Sequence, residues 1–471
     1  MCHVGLPFLR KATIVPQAHA SFRGMMTVAF GKSSLNEILQ KVEDYKDDKF
    51  FLKDFAGSLP TISDNQVFAN ADCALQHIKH YGFDYDFTLA TYNKKLPHLI
   101  YDLAKRRLVE KFGYPIEVES LKYDPNFAIR GLHIDKETGM LLKLDQYNKI
   151  QLPLFKGRSP VTTAETVRTY GGLRVSRSYV RENMHMMKDL FALPEACLYA
   201  DVMELLISKN QPFEPSYVQD CVCESSFAIC FCPFPLADPG YQFGDWVVDP
   251  ARYLDPNPNL VKYLTRIRES GRSTFLLTNS PYYFVDAGMK YLMGDLIENV
   301  SRQLHIKRKM KNEPLGLPCW THLFDIVIVE ADKPTFYHQR QQRFRKLNPD
   351  GSPSLEAVDE FVRGEVYTGG GLEEFHRLSG YRESNVIYMG DQIYSDLVEP
   401  QKATQWKTAA IIKEVAHEIK EMNCIEFKED VARLMFVERL VSEAQIHSED
   451  AQHTIEVGCG GWDAGWIAAE S

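Results

Sequence analysis

The sequence predicts an α/β fold in which helices flank a Rossmann-like, mainly parallel sheet and a large domain is inserted into it. Three observations support this prediction. Four apolar runs rich in β-branched and aromatic residues each stop at polar side chains. Helical periodicity follows several of these runs. The gap between the first and second runs is far longer than one strand–helix–strand crossover needs, and the 471 residues leave room for an insertion there.

The first run, from His80 to Ala90, contains two carboxylates. Its aromatic and apolar beginning predicts a buried strand that stops at Asp84, and Asp86 and Thr88 follow. Open α/β sheets bind their ligands beyond the carboxyl ends of the strands, so these side chains fall where a ligand crevice is expected. One acid can attack phosphorus or hold a divalent cation, while the other donates and recovers a proton. Aspartate also caps helices and forms turns, so the pair alone indicates a site only weakly.

The second run, from Ser273 to Asn279, predicts another buried strand, which ends at Thr278. Ser280 and Pro281 then form a helix-start signal, with serine at the cap and proline at the first helical position. The threonine hydroxyl, the asparagine amide and the free N–H groups of the new helix would face one point. This arrangement predicts an anion-binding site.

The third run, Phe324 to Pro334, is a further buried-strand pattern that places Lys333 directly before a proline. A lysine in that position can neutralise phosphate oxygens. Taken alone, an exposed loop lysine that happens to follow a strand is the more common case. The prediction that Lys333 binds phosphate therefore depends on the other three runs.

The fourth run, Asn385 to Asp396, predicts an apolar strand that ends in Gly390 and Asp391. Glycine permits close approach to the backbone. Asp391 can complete an oxygen-ligand set for Mg²⁺, which prefers one or two carboxylates with waters and substrate phosphate. Asp396 is either an acid on a helix surface or the group that orients Lys333.

In this order, the four runs resemble the motifs of the haloacid dehalogenase superfamily of phosphoryl-transfer enzymes. Within this superfamily, the residues of the motifs are most similar to those of the 5′-nucleotidase domain-containing proteins, relatives of the cytosolic purine 5′-nucleotidase. The similar segments are Gly-Phe-Asp-Tyr-Asp-Phe-Thr-Leu-Ala, the stretch Tyr123 to Leu132, Leu-Leu-Thr-Asn-Ser-Pro-Tyr and Gly-Asp-Gln-Ile-Tyr-Ser-Asp. The resemblance covers about Asn65 to Gln445.

This resemblance implies a Mg²⁺-dependent phosphoric monoester hydrolase that cleaves nucleoside 5′-monophosphates, or similar phosphomonoesters, through an aspartyl phosphate. Asp84 would be the nucleophile, Asp86 the general acid and base, and Lys333 the balancing cation. The implied phosphate ligands are Thr88, Thr278, Asn279 and Lys333. The implied Mg²⁺ ligands are Asp84, Asp391 and the main-chain carbonyl of Asp86. Asp396 would support these residues without binding the ion itself. The alternative is a catalytically weak or idle relative that serves as an interaction scaffold.

The spacing of the runs predicts how the chain divides. We expect a hairpin over 130–145 and a helical stretch over 179–209 in the insertion, and a helix over 259–271 before the second run. The predicted parts are a leader (1–45), a first core segment (65–115), a cap (116–249), a second core segment (250–415) and a C-terminal helix and tail (416–471). Caps of this kind close over a substrate and select the leaving group.

The segment Cys221 to Trp246 carries four of the chain's ten cysteines and shows neither helical nor strand periodicity. Zinc sites favour at least two residues between paired cysteines, so the Cys221/Cys223 pair does not predict one. Disulfides are not expected in a reducing compartment. In the purine nucleotidase, this part of the cap supplies an arginine, an aspartate and a lysine that grip the base. No matching series occurs here, so we expect weak base selectivity.

The net charge of −9 argues against nucleic acid or an anionic membrane as the main partner. No apolar run approaches the ~20 residues that cross a bilayer, so we expect a soluble protein. The basic clusters at 305–311 and 340–346 are interpreted as solvated faces rather than as RNA-binding patches. Association with copies of itself stays open.

The first 36 residues contain no Asp or Glu, which is typical of a transit peptide and equally compatible with a disordered leader. We therefore expect a cytosolic protein, with the mitochondrial matrix as the alternative. Near the other end of the chain, the spacing over 431–443 predicts an amphipathic helix. A Gly- and Trp-bearing segment follows this helix. The resemblance implies that the chains of relatives continue further.

Overall fold

A computed structural model describes residues 56–63, 66–69, 74–231, 249–294, 320–339, 342–381 and 384–450. The predictions for the leader, for residues 232–246, for the basic cluster at 305–311 and for the tail after residue 450 concern residues outside these ranges. The described residues divide into two compact units. One comprises 69–412, and the other comprises 56–68 with 413–450. The domain boundaries predicted from spacing stay predictions.

The first unit contains the strands. They are β1 (His80–Phe83), β2 (Leu132–Asp135), β3 (Met140–Leu144), β4 (Ile150–Lys156), β5 (Ser159–Val161), β6 (Met184–Met186), β7 (Ser273–Leu277), β8 (Ile326–Val329), β9 (Phe344–Lys346), β10 (Tyr367–Gly369), β11 (Val386–Gly390) and β12 (Lys407–Ala410). All four strands predicted from the apolar runs form.

The helices of the same unit lie between these strands. They are α1 (Lys95–Glu110), α2 (Thr163–Tyr170), α3 (Arg177–Asn183), α4 (Ala192–Ser208), α5 (Pro215–Phe231), α6 (Leu260–Glu269), α7 (Tyr282–Met293), α8 (Thr335–His338), α9 (Leu372–Ser379) and α10 (Glu399–Ala403). A π-helical turn over Ile393–Val398 follows β11.

Seven strands form the larger sheet, in the order β12-β11-β1-β7-β8-β10-β9. Every neighbouring pair is parallel except β9 and β10, so the predicted mainly parallel sheet is confirmed. Alternate residues of β7 face different cores, with Leu276 in one apolar cluster and Phe275 and Leu277 in another. Burial on both faces is why these strands read as continuous apolar runs. The four strands that end in predicted site residues, β11, β1, β7 and β8, are neighbours.

A second, antiparallel sheet forms from the residues between β1 and β7, in the order β5-β4-β3-β2-β6. The predicted hairpin is confirmed as β2 and β3, which turn at Gly139 with a φ of +74°. The single helical stretch predicted over 179–209 is wrong. The chain leaves α3 at Asn183 and forms β6 before α4 begins. Pairing with β6 satisfies backbone groups of β2 that would otherwise lie at a sheet edge.

The cysteine-bearing segment is helical where it is described, because α5 runs through Cys221 and Cys223. The absence of a sequence period has a physical reason. The buried positions recur at helical spacing on one face, but three of them, Gln219, Ser225 and Ser226, are polar, so the sequence shows no apolar stripe. α1 packs against both α4 and α5, which places these helices together beside the second sheet.

The second unit contains α11 (Val415–Met422) and α12 (Ile425–Asp450). α12 includes the predicted amphipathic stretch and extends beyond it at both ends. The Asn423 side chain binds the backbone of Ile62, accepting from its N–H at 2.9 Å and donating to its carbonyl at 2.7 Å. Within the described ranges, no helix is both long and apolar enough to cross a membrane.

Candidate functional site

A buried ion cluster lies at the carboxyl edge of the parallel sheet. The Lys333 Nζ atom is 3.0 Å from Asp84 Oδ1 and 2.8 Å from Asp396 Oδ1. It also donates a 2.8 Å hydrogen bond to the Tyr388 hydroxyl, which in turn donates to the Leu277 carbonyl. The lysine side chain is 2% exposed, so water screens these interactions little.

Asp396 contacts this lysine and is not a surface acid. It is fully buried, and its Oδ2 accepts from the backbone N–H of Gln392 at 3.1 Å. Gly390 makes this placement possible. A Cβ atom there would stand 2.3 Å from Asp396 Oδ2. The close approach predicted at this glycine is therefore made by a side chain of the protein itself.

The loop that carries Lys333 is held by Asn279. Its side-chain Oδ1 accepts from the Lys333 N–H at 2.6 Å, and its Nδ2 donates to the Lys333 carbonyl at 2.9 Å. The sequence pattern predicted that this amide faces an anion, whereas the amide binds the backbone of Lys333. A phosphate contact by Asn279 is left to its backbone N–H group.

Two hydroxyl groups hold Asp86, and neither contact was predicted from the sequence. Tyr92 donates to its Oδ1 at 2.6 Å, and Ser280 donates to its Oδ2. The prediction that Ser280 caps a helix is wrong, because α7 begins at Tyr282 with Pro281 at the cap position and no side-chain cap. The serine hydroxyl binds Asp86 instead, and its N–H donates to Thr278 Oγ1 at 3.2 Å.

Three acids of the cluster hold protons more tightly than ordinary aspartates. Burial raises the pKa of Asp84 to about 7, against the opposing effect of Lys333. Burial raises the pKa of Asp86 to about 6, although the hydrogen bonds from Ser280 and Tyr92 lower it. Burial and the charge of Asp84 raise the pKa of Asp391 to about 8. Burial alone would lower the pKa of Lys333, but the nearby acids outweigh it and raise that pKa.

Arg130 reaches this cluster from the inserted residues. Its Nη1 donates to the Asp391 carbonyl at 2.6 Å and lies 3.2 Å from Asp391 Oδ2. The arginine belongs to the Tyr123 to Leu132 stretch that carries part of the family resemblance, but nothing in its local pattern assigned it a role. It links the insertion to the end of β11.

The donor set suits a hard divalent cation. Carboxylate oxygens of Asp84, Asp391 and Asp396 all lie within 4.8 Å of one another. Both oxygens of Asp396 are engaged, by Lys333 and by the Gln392 N–H, whereas Lys333 and Arg130 each approach one oxygen of Asp84 and Asp391, so these two acids could hold a cation. Their raised pKa values reflect carboxylates crowded in a buried place, where a cation would favour the charged forms. Mg²⁺ commonly binds through one or two carboxylates.

Hydroxyl groups lie beside the acids. The Thr88 Oγ1 atom is buried and has no hydrogen-bond partner among the described residues. Thr278, fully buried at the end of β7, accepts a bond from Ser280 and keeps its own hydroxyl proton to donate. Both groups suit an anion with several acceptor oxygens.

Comparison with known proteins assigns the chain to a family. The sequence profile of the 5′ nucleotidase family matches residues 67–458. The chain belongs to this family. The 5′-nucleotidase resemblance inferred from the four motifs is thereby confirmed.

Two relatives within the 5′-nucleotidase family show the extent of the similarity. A 5′-nucleotidase domain-containing protein of Dictyostelium discoideum is 36% identical over 411 residues, which are 87% of this chain and 65% of that relative. The human 5′-nucleotidase domain-containing protein 2 is 30% identical over 392 residues, 81% of this chain and 69% of that relative. The matched region spans about 65% of the Dictyostelium protein's length.

Proposed function

We propose that this member of the 5′-nucleotidase family is a Mg²⁺-dependent phosphoric monoester hydrolase that acts on nucleoside 5′-monophosphates. The observation that carries the proposal is the 3.0 Å approach of Lys333 Nζ to Asp84 Oδ1 at the carboxyl edge of the sheet. A carboxylate that attacks a phosphate dianion needs such a cation to offset the repulsion. In this proposal, the parallel sheet is a haloacid dehalogenase core and residues 116–249 are its cap.

Asp84 is the proposed nucleophile. Its carboxylate attacks phosphorus in line with the leaving ribose oxygen and forms an aspartyl phosphate. Lys333, the hydroxyls of Thr88 and Thr278, and the N–H of Asn279 receive the phosphoryl oxygens. When bound by Asp84, Asp391 and the Asp86 carbonyl, Mg²⁺ supplies further stabilisation of the phosphoryl charge.

Asp86 is the proposed general acid and base. Its proton passes to the ribose oxygen as the bond from that oxygen to phosphorus breaks. The resulting carboxylate then takes a proton from the water that hydrolyses the aspartyl phosphate, which restores both acids and releases inorganic phosphate. A pKa of about 6, raised by burial, permits both roles near neutral pH. Tyr92 and Ser280 hold the carboxylate in one orientation throughout.

Aromatic rings next to Asp86 offer a surface for the leaving nucleoside. The rings of Phe87 and Phe191 have centroids 5.0 Å apart, and Phe191 lies 5.4 Å from Tyr92. Phe191 comes from the insertion, whereas Phe87 follows β1 directly. The contact of Phe191 with Phe87 and Tyr92 places part of the proposed cap beside Asp86.

A phosphate-release assay on purified protein tests the proposal. Nucleoside 5′-monophosphates should release phosphate with Mg²⁺ and not with excess chelator, and Asp84→Asn should remove the activity. Release that survives this substitution would come from a contaminating enzyme. Absence of release from every nucleotide would favour the interaction-scaffold alternative instead. The cytosolic or mitochondrial location and the association of copies stay predictions.

A further inference from the structure

Three side chains with metal-binding atoms converge in the inserted residues, on elements separate from the carboxylate site. His185 lies on β6, Glu195 in the first turn of α4, and Cys223 in the middle of α5. A ring nitrogen, a carboxylate oxygen and the sulfur of these residues all lie within 4.8 Å of one another. Nothing in the proposed hydrolysis uses them.

Glu195 is the under-satisfied member of this group. The residue is 7% exposed, and its Oε1 has no hydrogen-bond partner among the described residues. The nearest imidazole nitrogen, His185 Nε2, is 3.6 Å away, which is too long for a hydrogen bond. The carboxyl group accepts a hydrogen bond from the Cys223 thiol, and burial raises its pKa to about 7. Burial of the unpartnered Oε1 atom is costly, and a metal ion would satisfy it.

The separation fits two ligands of one tetrahedral ion. Zinc bonds of about 2.0–2.2 Å to nitrogen and oxygen place two such ligand atoms about 3.3–3.5 Å apart in a tetrahedral site. His185 Nε2 and Glu195 Oε1 are 3.6 Å apart, so a shift of about 0.1–0.3 Å brings them to that separation. An imidazole, a carboxylate and a thiolate are the ligand types that zinc takes, and the thiolate disfavours Mg²⁺ and Ca²⁺.

We propose that His185, Glu195 and Cys223 form a binding site for Zn²⁺ or a chemically similar transition-metal ion. On binding, the Cys223 thiol releases its proton to solvent and its sulfur bonds to the metal. Three protein ligands leave a fourth position for water. The proposal is independent of the phosphatase activity.

The surrounding charges permit a cation. The charge of Lys136 acts on His185 and Cys223, but its Nζ is 3.3 Å from Asp220 Oδ1, and the opposite charge of Asp220 offsets part of this effect. Lys188 is exposed, so water and salt screen it. Asp189, which also acts on Glu195, adds a negative charge. The group as a whole is therefore negative once the thiol is deprotonated.

The helix explains why cysteine spacing did not predict this site. Residues two apart on an α-helix point about 200° away from each other, so Cys221 and Cys223 cannot form one chelate. Cys221 instead contacts Tyr114, whereas Cys223 turns toward Glu195. The relevant partners come from β6 and α4, which local spacing does not bring together.

A metal at this point would fasten the start of α4 to β6. The intervening turn is also held by Asp189, whose Oδ1 accepts from the Ala192 N–H at 2.9 Å. The same turn carries Phe191, which packs on Tyr92. The ion would thus stabilise the position of a segment that borders the proposed substrate site.

Cobalt titration of the full-length, metal-free protein tests this site. Co²⁺ is added under anaerobic reducing conditions with excess Mg²⁺ present to occupy the carboxylate site. One equivalent should produce a thiolate-to-cobalt charge-transfer band and intense visible bands of tetrahedral Co²⁺, and Zn²⁺ should abolish both. Cys223→Ser should lose the charge-transfer band, while the matched variant Cys221→Ser on the same helix keeps it.

Two further variants protect the test against misfolding. His185→Gln alters a partly exposed ligand and should weaken Co²⁺ binding at least tenfold, with an unchanged far-ultraviolet circular dichroism spectrum. Asp391→Asn, which affects only the carboxylate site, should leave the cobalt spectrum intact. A charge-transfer band that never forms, or one that persists in Cys223→Ser, would overturn the proposal.

Discussion

The ammonium group of Lys333 lies 3.0 Å from Asp84 Oδ1, between this acid at the end of β1 and the fully buried Asp396 beyond β11. One cation therefore serves two carboxylates, while Asp391 stands nearby with Arg130 as its cationic neighbour. The arrangement concentrates negative charge at a place where water is largely excluded. Burying these carboxylates together costs free energy in the absence of ligands, but the cations beside them can balance the charge of a phosphate substrate.

We expect Asp84→Asn and Asp86→Asn to fail in different ways. An amide at position 84 cannot attack phosphorus, so phosphate release should be abolished. An amide at position 86 removes only the proton shuttle, which typically contributes 10²–10⁴-fold, so release should be slow and an acid-labile phosphoenzyme should accumulate. Rapid-quench assays with labelled substrate measure both quantities. Equal residual rates in the two variants would contradict the assigned roles.

Lys333→Met should destabilise the metal-free protein more than Asp396→Asn. Removal of the lysine leaves Asp84 and Asp396 buried without their shared cation, a situation that costs about 3–5 kcal/mol. Asp396→Asn leaves Lys333 paired with Asp84 and keeps an oxygen for the Gln392 N–H. Urea unfolding in chelator at constant pH compares the free energies of unfolding. A smaller loss for the methionine variant would show that the lysine is not the main neutralising group.

The sequence predicted the positions at strand ends well, because each depends on a short local pattern. An apolar run that stops at Asp84 or Asp391 signals both the strand and the sheet edge, and parallel neighbours then bring those ends together. For Asp396, which lies within the fourth motif, the sequence left two alternatives open, a helix-surface acid or a partner of Lys333, and the structure shows the second.

Contacts that depend on the tertiary fold were missed. Ser280 lies 194 positions from Asp86, and its local context predicted a helix cap. Arg130 lies 261 positions from Asp391 and belongs to the insertion. No local period encodes such proximity. Short β6 was missed for a different reason, because three residues between two helical patterns are too few to show strand alternation.

Tyr92→Phe should shift the pH dependence of kcat/KM. The Tyr92 hydroxyl stabilises the Asp86 carboxylate and lowers its pKa, so its loss should raise that pKa above about 6. A hydrogen bond to a charged group contributes about 1.5 kcal/mol or more, which corresponds to about one pH unit. The limb that requires protonated Asp86 should therefore move to higher pH. Tyr101→Phe, which removes a hydroxyl bound to Asp201, is the matched control and should leave the profile unchanged.

The stability of the metal-free protein should fall as pH rises from about 6 to about 8. Burial raises the pKa of Asp391 to about 8 from an ordinary value of 3.8, so its stabilising contribution is complete below 3.8 and is lost through about 8. Asp391→Asn mimics the protonated acid and should flatten this slope by on the order of 1 kcal/mol.

Mg²⁺ should reverse the trend, because it binds deprotonated acids and therefore stabilises the wild-type protein more at pH 8 than at pH 6. Thermal unfolding across this pH range, with chelator or with Mg²⁺, measures both effects. A Mg²⁺-induced shift that decreases with pH would contradict the carboxylate assignment.

Any nucleotidase activity should be broad toward the base. Among the described residues, the Phe87 and Phe191 rings lie next to Asp86, and stacking on aromatic rings tolerates every base. Strong rejection of analogues requires buried polar groups that one base satisfies and another leaves unpaired, whereas apolar contact discriminates by only about 10–200-fold. We therefore expect kcat/KM for inosine, guanosine, cytidine and uridine 5′-monophosphates to agree within about 10²-fold. Phe191→Ala should lower all four values together. A preference above ~10³ for one base, retained in Phe191→Ala, would instead require a dedicated polar recognition site in the insertion.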